Sequence, residues 1–222
     1  MKRAVLFDLD GVLVDSRSAQ LATLAGFATS TLGRRVRVAD LPAGAETTPR
    51  EHVLAELGLS GAINEEAWDA ATATATLTTG LFPFVAETLA ALRAADIATS
   101  IVTLRGRQRV PWLLPPGVLD LMDTVVCFED AAPKPAPDGI LLALERLGVE
   151  PGNAVFVGDM ESDMHAARAA GVTAVGAGWG FAGPRALARA GAELVLPHAE
   201  DFAGALLLLV GTGRQTGYSK RS

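Results

Sequence analysis

The chain reads as a three-layer α/β/α fold: a parallel sheet covered by helices on both faces, with a small all-helical segment inserted after the first strand. Three observations predict it. Short apolar runs recur along the chain, helical patterns lie between them, and the alternation breaks once, early, over a stretch with no strand pattern.

The first run covers residues 4–9 (AVLFDL) and carries an acid near its end. A near-continuous apolar run suits a strand buried on both faces of a parallel sheet. Similar runs fall at 97–103, 124–128, 154–158, 172–176 and 194–196. Helical patterns occupy 84–95, 137–147, 162–170, 184–190 and 199–210. Gly148 and Pro151, Gly171, Gly183 and Pro184, and Pro197 punctuate the junctions. Residues 16–32, 48–57 and 64–79 read as helices, separated by Gly33, Pro42, Gly44 and Gly58. They predict a second small domain over 15–80, with hinges near 13–17 and 79–83, inserted into a core made of 1–14 and 81–211. In 106–118, Pro111, Pro115 and Pro116 limit any helix to a turn or two, which predicts an irregular segment. The tail 212–222 is polar and small and is expected to be disordered.

With 222 residues, half of them hydrophobic, the chain can bury a sizeable core. A net charge of −6 and a pI near 5.1 argue against broad contact with nucleic acid or an anionic membrane. They leave room for a small anionic substrate, because a metal or lysine reverses the field locally. Cys127 is the single cysteine, so neither an intrachain disulfide nor a cysteine zinc site is expected, and a reducing compartment is. The first apolar run is too short for a signal-peptide core, and 203–210 is far short of the ~20 residues that span a bilayer. The expectation is a soluble cytoplasmic protein, a monomer or a homodimer.

Four segments, each at the end of a predicted strand or in the loop after it, carry the chemistry. Asp8 and Asp10 stand two apart where the first strand ends, and ligands of open parallel sheets bind beyond the carboxyl ends of the strands. One carboxylate can attack phosphorus while a second protonates a leaving oxygen and later activates water. Gly158-Asp159-Met160-Glu161-Ser162-Asp163 follows another strand. Mg²⁺ takes hard oxygen ligands and keeps waters, so two or three carboxylates suffice to hold it. Asp159 can therefore share one ion with Asp8, whereas an N-cap role suits Ser162 or Asp163 equally well. Thr103 ends the strand at 97–102 and offers a hydroxyl to a phosphoryl oxygen. Lys134 is the lone lysine of the chain's interior, flanked by Pro133 and Pro135, and supplies the fixed cation that such an acidic site needs.

FDLDGVLVDS (7–16), IVT (101–103), KPAPD (134–138) and GDMESD (158–163) resemble, in order and spacing, the four motifs of the haloacid dehalogenase superfamily. The helical insert resembles the α-helical cap of its phosphoglycolate phosphatase and β-phosphoglucomutase relatives. The resemblance implies a Rossmann-like core and a Mg²⁺-dependent phosphatase acting on a small phosphorylated metabolite. It makes Asp8 the nucleophile that forms an aspartyl-phosphate and Asp10 the general acid/base. Thr103 and Lys134 hold phosphoryl oxygens. Mg²⁺ is bound by the Asp8 and Asp159 carboxylates and the Asp10 backbone carbonyl, while Asp163 orients a metal water or pairs with Lys134. Leu104 and the proline-laden 106–118 depart from the family pattern, and the 41–50 segment of the insert carries no assignable specificity motif.

A phosphomutase shares every one of these residues, and a binding or regulatory protein on an inactive scaffold shares the fold. Gly178-Trp179-Gly180-Phe181-Ala182-Gly183 matches a dinucleotide fingerprint, but Trp179 crowds a pyrophosphate. It reads instead as a loop beside the site, with Trp179 and Phe181 lining the pocket. Cys127 lacks the arginine spacing of cysteine phosphatases and reads as a buried strand residue. His52, His165 and His198 show no ligand spacing, and His165 reads as a plain helix position. Arg105, Arg107 and Arg109 read as a surface cluster, in which Arg105, like Arg50 in the insert, can meet a substrate anion.

Overall fold

The computed structural model describes residues 2–61, 63–200 and 202–211. It begins with β1 (Arg3–Phe7) and a two-residue β2 (Val14–Asp15). Three helices follow, α1 (Arg17–Leu32), α2 (Arg50–Glu56) and α3 (Glu65–Thr76). A two-residue β3 (Gly80–Leu81) leads into α4 (Val85–Ala94) and β4 (Ile97–Val102). Two short helical turns, α5 (Val110–Leu113) and α6 (Pro116–Leu119), precede β5 (Thr124–Val126). The chain then alternates regularly: α7 (Asp138–Leu147), β6 (Ala154–Gly158), α8 (Glu161–Ala170), β7 (Thr173–Ala177), α9 (Gly183–Arg189), β8 (Leu194–Leu196) and α10 (Phe202–Gly211).

Six strands form one wholly parallel sheet in the order β5-β4-β1-β6-β7-β8. The period of two along each strand explains its two cores. Val5 and Phe7 of β1 and Val155 and Val157 of β6 face Leu89 and Leu92 of α4 and Phe202 and Leu206 of α10. The intervening Leu6 and Phe156 face Ile140 and Leu144 of α7, Met164 of α8 and Leu187 of α9. Both faces are covered, so β1 from Ala4 onward and all of β6 are apolar, while β4 buries only Thr99 and Ser100 as polar residues. Each fully buried Phe or Leu contributes on the order of 1.5–3 kcal/mol.

The helical lobe, α1–α3, packs around a separate cluster in which Leu24, Phe27, Val53 and Leu54 are buried. Trp68 of α3 meets Phe27 of α1 edge-on, with ring centroids 5.3 Å apart. The lobe is not purely helical at its boundaries. β2 and β3 pair antiparallel, Val14 with Leu81 and Asp15 with Gly80, so the two chain crossings between lobe and sheet are hydrogen-bonded to each other. A two-residue strand is too short to show a period, and the sequence reading of 15–80 as strand-free missed both.

Pro111 and Pro116 stand within the first two positions of α5 and α6, where a missing N–H costs nothing, and each turn lasts four residues. This is the irregular segment expected at 106–118. The last helix starts at Phe202, later than the expected 199. The tail 212–222, expected to be disordered, lies outside the described residues. No described helix is long and apolar enough to cross a membrane.

Candidate active site

β1 stops at Phe7, and the Asp8 N–H still donates to the Val157 carbonyl at 2.8 Å, which ties Asp8 to the end of β6. The chain then folds back on itself. The N–H groups of Leu13 and Val14 both donate to the Leu9 carbonyl at 3.0 Å, while Leu9, Val12 and Leu13 plug into the core. This tight turn anchors Asp8 and Asp10 at the carboxyl end of the sheet. Asp159 follows β6 directly, Thr103 follows β4, and Lys134 comes from the loop after β5.

The structure brings Asp8, Lys134, Asp159 and Asp163 together. The Lys134 ammonium lies 2.8 Å from Asp8 Oδ1 and 2.6 Å from Asp163 Oδ1, and its side chain is 5% exposed. Carboxylate oxygens of Asp8, Asp159 and Asp163 lie within 4.8 Å of one another. Asp163 Oδ2 also accepts the backbone N–H groups of Asp159 and Met160, at 3.0 and 2.9 Å, so it rigidifies the turn that presents Asp159. Both roles weighed for Asp163, capping and pairing with Lys134, are filled at once. Asp159 Oδ2 accepts the Phe181 N–H at 2.7 Å, whereas its Oδ1 is buried with no partner among the described residues.

A buried acceptor without a donor costs roughly 1–3 kcal/mol, so this oxygen points to an absent ligand. Three carboxylates around one lysine, with one orphaned oxygen, fit a hard divalent cation with oxygen ligands. Glycines permit the crowding. A Cβ at Gly180 would stand 2.2 Å from the Asp159 Cβ, and one at Gly11, where φ is +74°, would stand 2.1 Å from Asp159 Oδ2.

Burial drives the Asp8 carboxyl up to about 7; Lys134 restrains the rise and Asp163 adds to it. Burial, reinforced by Asp8 and Asp163, pushes Asp159 well above the usual carboxylate range. Burial disfavours the Lys134 charge, but Asp163 and Asp8 outweigh it and raise its pKa. The cluster is short of positive charge as it stands.

Asp10 stands apart from the carboxylate trio. Arg105 forks it, Nε to Oδ2 and Nη2 to Oδ1, both at 2.8 Å, and Gln20 Nε2 of α1 donates to Oδ1 at 3.2 Å. Burial alone would raise Asp10; Arg105, Ser16 and Gln20 overcome it and hold the carboxyl below the usual range. Of Asp10, only the backbone carbonyl, the ligand that the resemblance implies, remains available to an ion, since the side chain is committed to Arg105. The surface reading of Arg105 is corrected here: its side chain is 18% exposed and lines the cavity. Its sequence signal was slight, a cation two residues past Thr103; Gln20, a polar residue on the inner side of α1, gave none.

These groups floor a cavity of about 340 Å³ between the sheet and the helical lobe. The lobe contributes Thr23, Thr48, Arg50, Trp68 and Thr72 to its walls. Arg50 stacks over Trp68, 4.8 Å from the ring centroid, and pairs with Glu51 and Glu65 at 3.0 Å. Arg109 reaches across to Asp69 of α3. Thr103 is buried at the cavity edge, and its Oγ1 accepts the Arg105 N–H at 3.1 Å.

The glycine-rich loop at 178–183 splits its two aromatics. Phe181 lines the cavity, under the Arg17 guanidinium at 5.4 Å. Trp179 does not: it packs edge-on against Phe84 and Phe202, at 5.3 and 5.1 Å, in the sheet's core. Cys127 is buried just past β5, and His52, His165 and His198 are exposed.

Comparison with known proteins bears on this arrangement. A family profile described as haloacid dehalogenase-like hydrolase matches residues 5–177. Phosphoglycolate phosphatase 1 of Pseudomonas aeruginosa is 30% identical over 215 residues, spanning 91% of this chain and 79% of that protein. Phosphoglycolate phosphatase of Escherichia coli is 38% identical over 110 residues, but the match spans 46% of this chain and only 42% of the relative. A solved hydrolase of the same superfamily from Deinococcus radiodurans, with bound phosphate and sodium, superposes with a TM-score of 0.75 at 26% identity, covering 96% of this chain and 98% of its own.

Proposed function

Since this chain belongs to the haloacid dehalogenase-like hydrolases, we propose that it is a Mg²⁺-dependent phosphatase that hydrolyses a small phosphomonoester through an aspartyl-phosphate on Asp8. One observation carries the reading. Asp8, Asp159 and Asp163 converge on Lys134 at the carboxyl end of the sheet, and one buried Asp159 oxygen lacks a donor. The phosphoglycolate phosphatases among the relatives, and the phosphate bound in the Deinococcus structure, favour a phosphorylated small molecule.

Asp8, whose Oδ1 accepts from Lys134, attacks phosphorus in line. The Asp8 and Asp159 carboxylates and the Asp10 carbonyl would hold Mg²⁺, which would supply electrostatic stabilisation of the phosphoryl oxygens. Lys134 and the Thr103 hydroxyl bear on the same oxygens, where most of the transition-state charge lies. Asp10, which Arg105 holds ionised in the resting site, takes a proton from the water that cleaves the aspartyl-phosphate and, once protonated and clear of that fork, gives one to the departing alkoxide. The helical lobe serves as a cap over the cavity, with Trp68 and Phe181 excluding water from the reacting centre.

The test is hydrolysis of p-nitrophenyl phosphate by the full chain. The expected result is turnover that needs Mg²⁺, is lost in EDTA, and falls by at least ~10³-fold in Asp8→Asn. Turnover that survives in Asp8→Asn, or no turnover of any phosphomonoester by folded protein, refutes the reading.

A further inference from the structure

Among the described residues, four cations line the cavity, and each already holds a carboxylate. Lys134 pairs with Asp8 and Asp163, Arg105 with Asp10, Arg109 with Asp69, and Arg50 with Glu51 and Glu65. One acid of the lining has no such match. Glu46 borders the cavity from the helical lobe, is only partly exposed, and has neither a hydrogen bond nor an ion pair on its carboxylate among the described residues. It lies in the 41–50 segment, which carries no assignable specificity motif.

We propose that Glu46 selects the leaving group: the site prefers phosphomonoesters of amino alcohols, with the substrate's primary ammonium on Glu46 and its phosphate on the floor. This inference rests on the phosphatase reading above.

Charge is the first argument. At the lobe end of the cavity, Arg50 and Arg109 are outnumbered by Glu46, Glu51, Glu65 and Asp69. The field there is negative, whereas the floor, with Lys134 and the ion that Asp8 and Asp159 would hold, takes the anionic phosphate. A substrate that is anionic at one end and cationic at the other matches both ends. A carboxylate on the leaving group finds every lining cation already paired and meets Glu46 as a like charge.

Hydrogen bonding is the second argument. Thr23, Thr48 and Thr72 line the same end. A hydroxyl has a single proton to donate. Each of these three gives it to a carbonyl four residues back, Thr23 to Ala19, Thr48 to Gly44 and Thr72 to Trp68, all at 2.9 Å. What they present to the cavity is lone pairs. Thr23 and Thr72 are buried, so these acceptors are sheltered from water. The one lining amide, Gln20, directs its Nε2 to Asp10 and Ser16. Threonine oxygens and the Glu46 carboxylate therefore make a wall of acceptors, and an ammonium has three donors and no acceptor. A substrate hydroxyl can use the same oxygens but brings no charge to Glu46.

Placement is the third. Glu46 sits in a tight turn in which the Thr47 and Thr48 N–H groups both donate to the Gly44 carbonyl at 3.0 Å. Its neighbour Ala45 is buried in the lobe's own core, which anchors the turn. The segment that carries the acid is thus held before substrate arrives, and less ordering entropy remains to be lost on binding. Glu46 belongs to the lobe, while Asp8, Thr103 and Asp159 follow strands of the sheet. The sheet reads the phosphate, and the lobe reads what the phosphate is attached to.

The experiment compares 2-aminoethyl phosphate, 2-hydroxyethyl phosphate and 2-phosphoglycolate at pH 7, as substrates of the full chain with Mg²⁺. Their leaving groups are similar in size and are cationic, neutral and anionic. The wild type is expected to favour the amino ester over the hydroxy ester by at least ~10-fold in kcat/KM, the lower end for a charged hydrogen bond because Glu46 stays partly in water. The glycolate ester should be the poorest of the three. Glu46→Gln, which keeps the shape without the charge, should bring the amino and hydroxy esters within about threefold. A wild type that hydrolyses the hydroxy or the glycolate ester at least as well as the amino ester overturns the inference, with the phosphatase reading intact. So does a preference for the amino ester that survives in Glu46→Gln, and so does turnover of p-nitrophenyl phosphate with none of the three. Hydrolysis of neither these esters nor p-nitrophenyl phosphate overturns both readings. Should Glu46→Gln not fold, inhibition of the wild type decides. Against p-nitrophenyl phosphate, 2-aminoethylphosphonate should bind at least ~10-fold more tightly than 2-hydroxyethylphosphonate, and equal inhibition by the two overturns the inference.

Discussion

Replacing Lys134 by Met tests the electrostatics of the site directly. The ammonium bridges Asp8 at 2.8 Å and Asp163 at 2.6 Å, and the three side chains are 5%, 10% and 1% exposed. Met keeps most of the aliphatic length, so packing changes little, and only the charge over the Phe156 ring, 5.5 Å from its centroid, goes with the ammonium. The charge changes a great deal. Two buried carboxylates lose their cation while a third, Asp159, stays within 4.8 Å. Removing one partner of a buried pair typically costs about 3–5 kcal/mol, because the remaining charge cannot be resolvated. At about 2–4 °C per kcal/mol for a chain of this size, the midpoint should drop by roughly 6–20 °C. The assay is urea and thermal unfolding in EDTA at pH 7, followed by circular dichroism. At pH 5 the loss should shrink, because carboxyls with raised pKa values take up protons and shed the uncompensated charge. Adding Asp163→Asn should recover part of the loss, as one of the unpaired charges is then gone. A variant within about 1 kcal/mol of the wild type at pH 7, or a double variant less stable than Lys134→Met alone, refutes the account.

Two further outcomes follow from the same geometry. Without divalent cations, stability should fall as pH rises from about 4 to about 7: Asp8, with its pKa raised from 3.8 to about 7, keeps a proton in the folded state that the unfolded chain has lost. Asp159 acts in the same direction, the Lys134 contribution persists to alkaline pH, and saturating Mg²⁺ should flatten the slope; urea midpoints at pH 5 and 7 in EDTA and in Mg²⁺ check this, and midpoints in EDTA that climb with pH count against it. Gly180→Ala places a methyl 2.2 Å from the Asp159 Cβ, so the loop must shift, at a cost of about 1–3 kcal/mol and most of the phosphatase activity; wild-type melting and turnover would show that the close approach is not real.

The layered fold was legible because its signals are local. Strands such as 154–158 are continuous apolar runs, and helices α7 and α8 end on glycines in the left-handed conformation where the sequence places Gly148 and Gly171. Asp8, Thr103, Lys134 and Asp159 were legible for a related reason: each follows a strand, and the carboxyl ends of a parallel sheet meet on one side. What stayed hidden depends on tertiary rotation. Whether Trp179 or Phe181 faces the cavity is set by the twist of one glycine turn, which composition does not record. Arg105 was visible as a cation near Thr103, but its fork on Asp10, ninety-five positions away, exists only once β1 and β4 are paired. The β2–β3 ribbon has two residues a side and no period to detect.

That ribbon makes the lobe an exchangeable cassette. Its entrance and exit are adjacent, Val14 beside Leu81, so excising what lies between would leave a gap that a tight reverse turn can bridge. The sheet's own order, with β1 beside β4 and β6, is unaffected by what the cassette holds. Successive lobes could be grafted at this one doorway while the carboxylates below keep their spacing, which lets one hydrolytic floor serve under many different roofs.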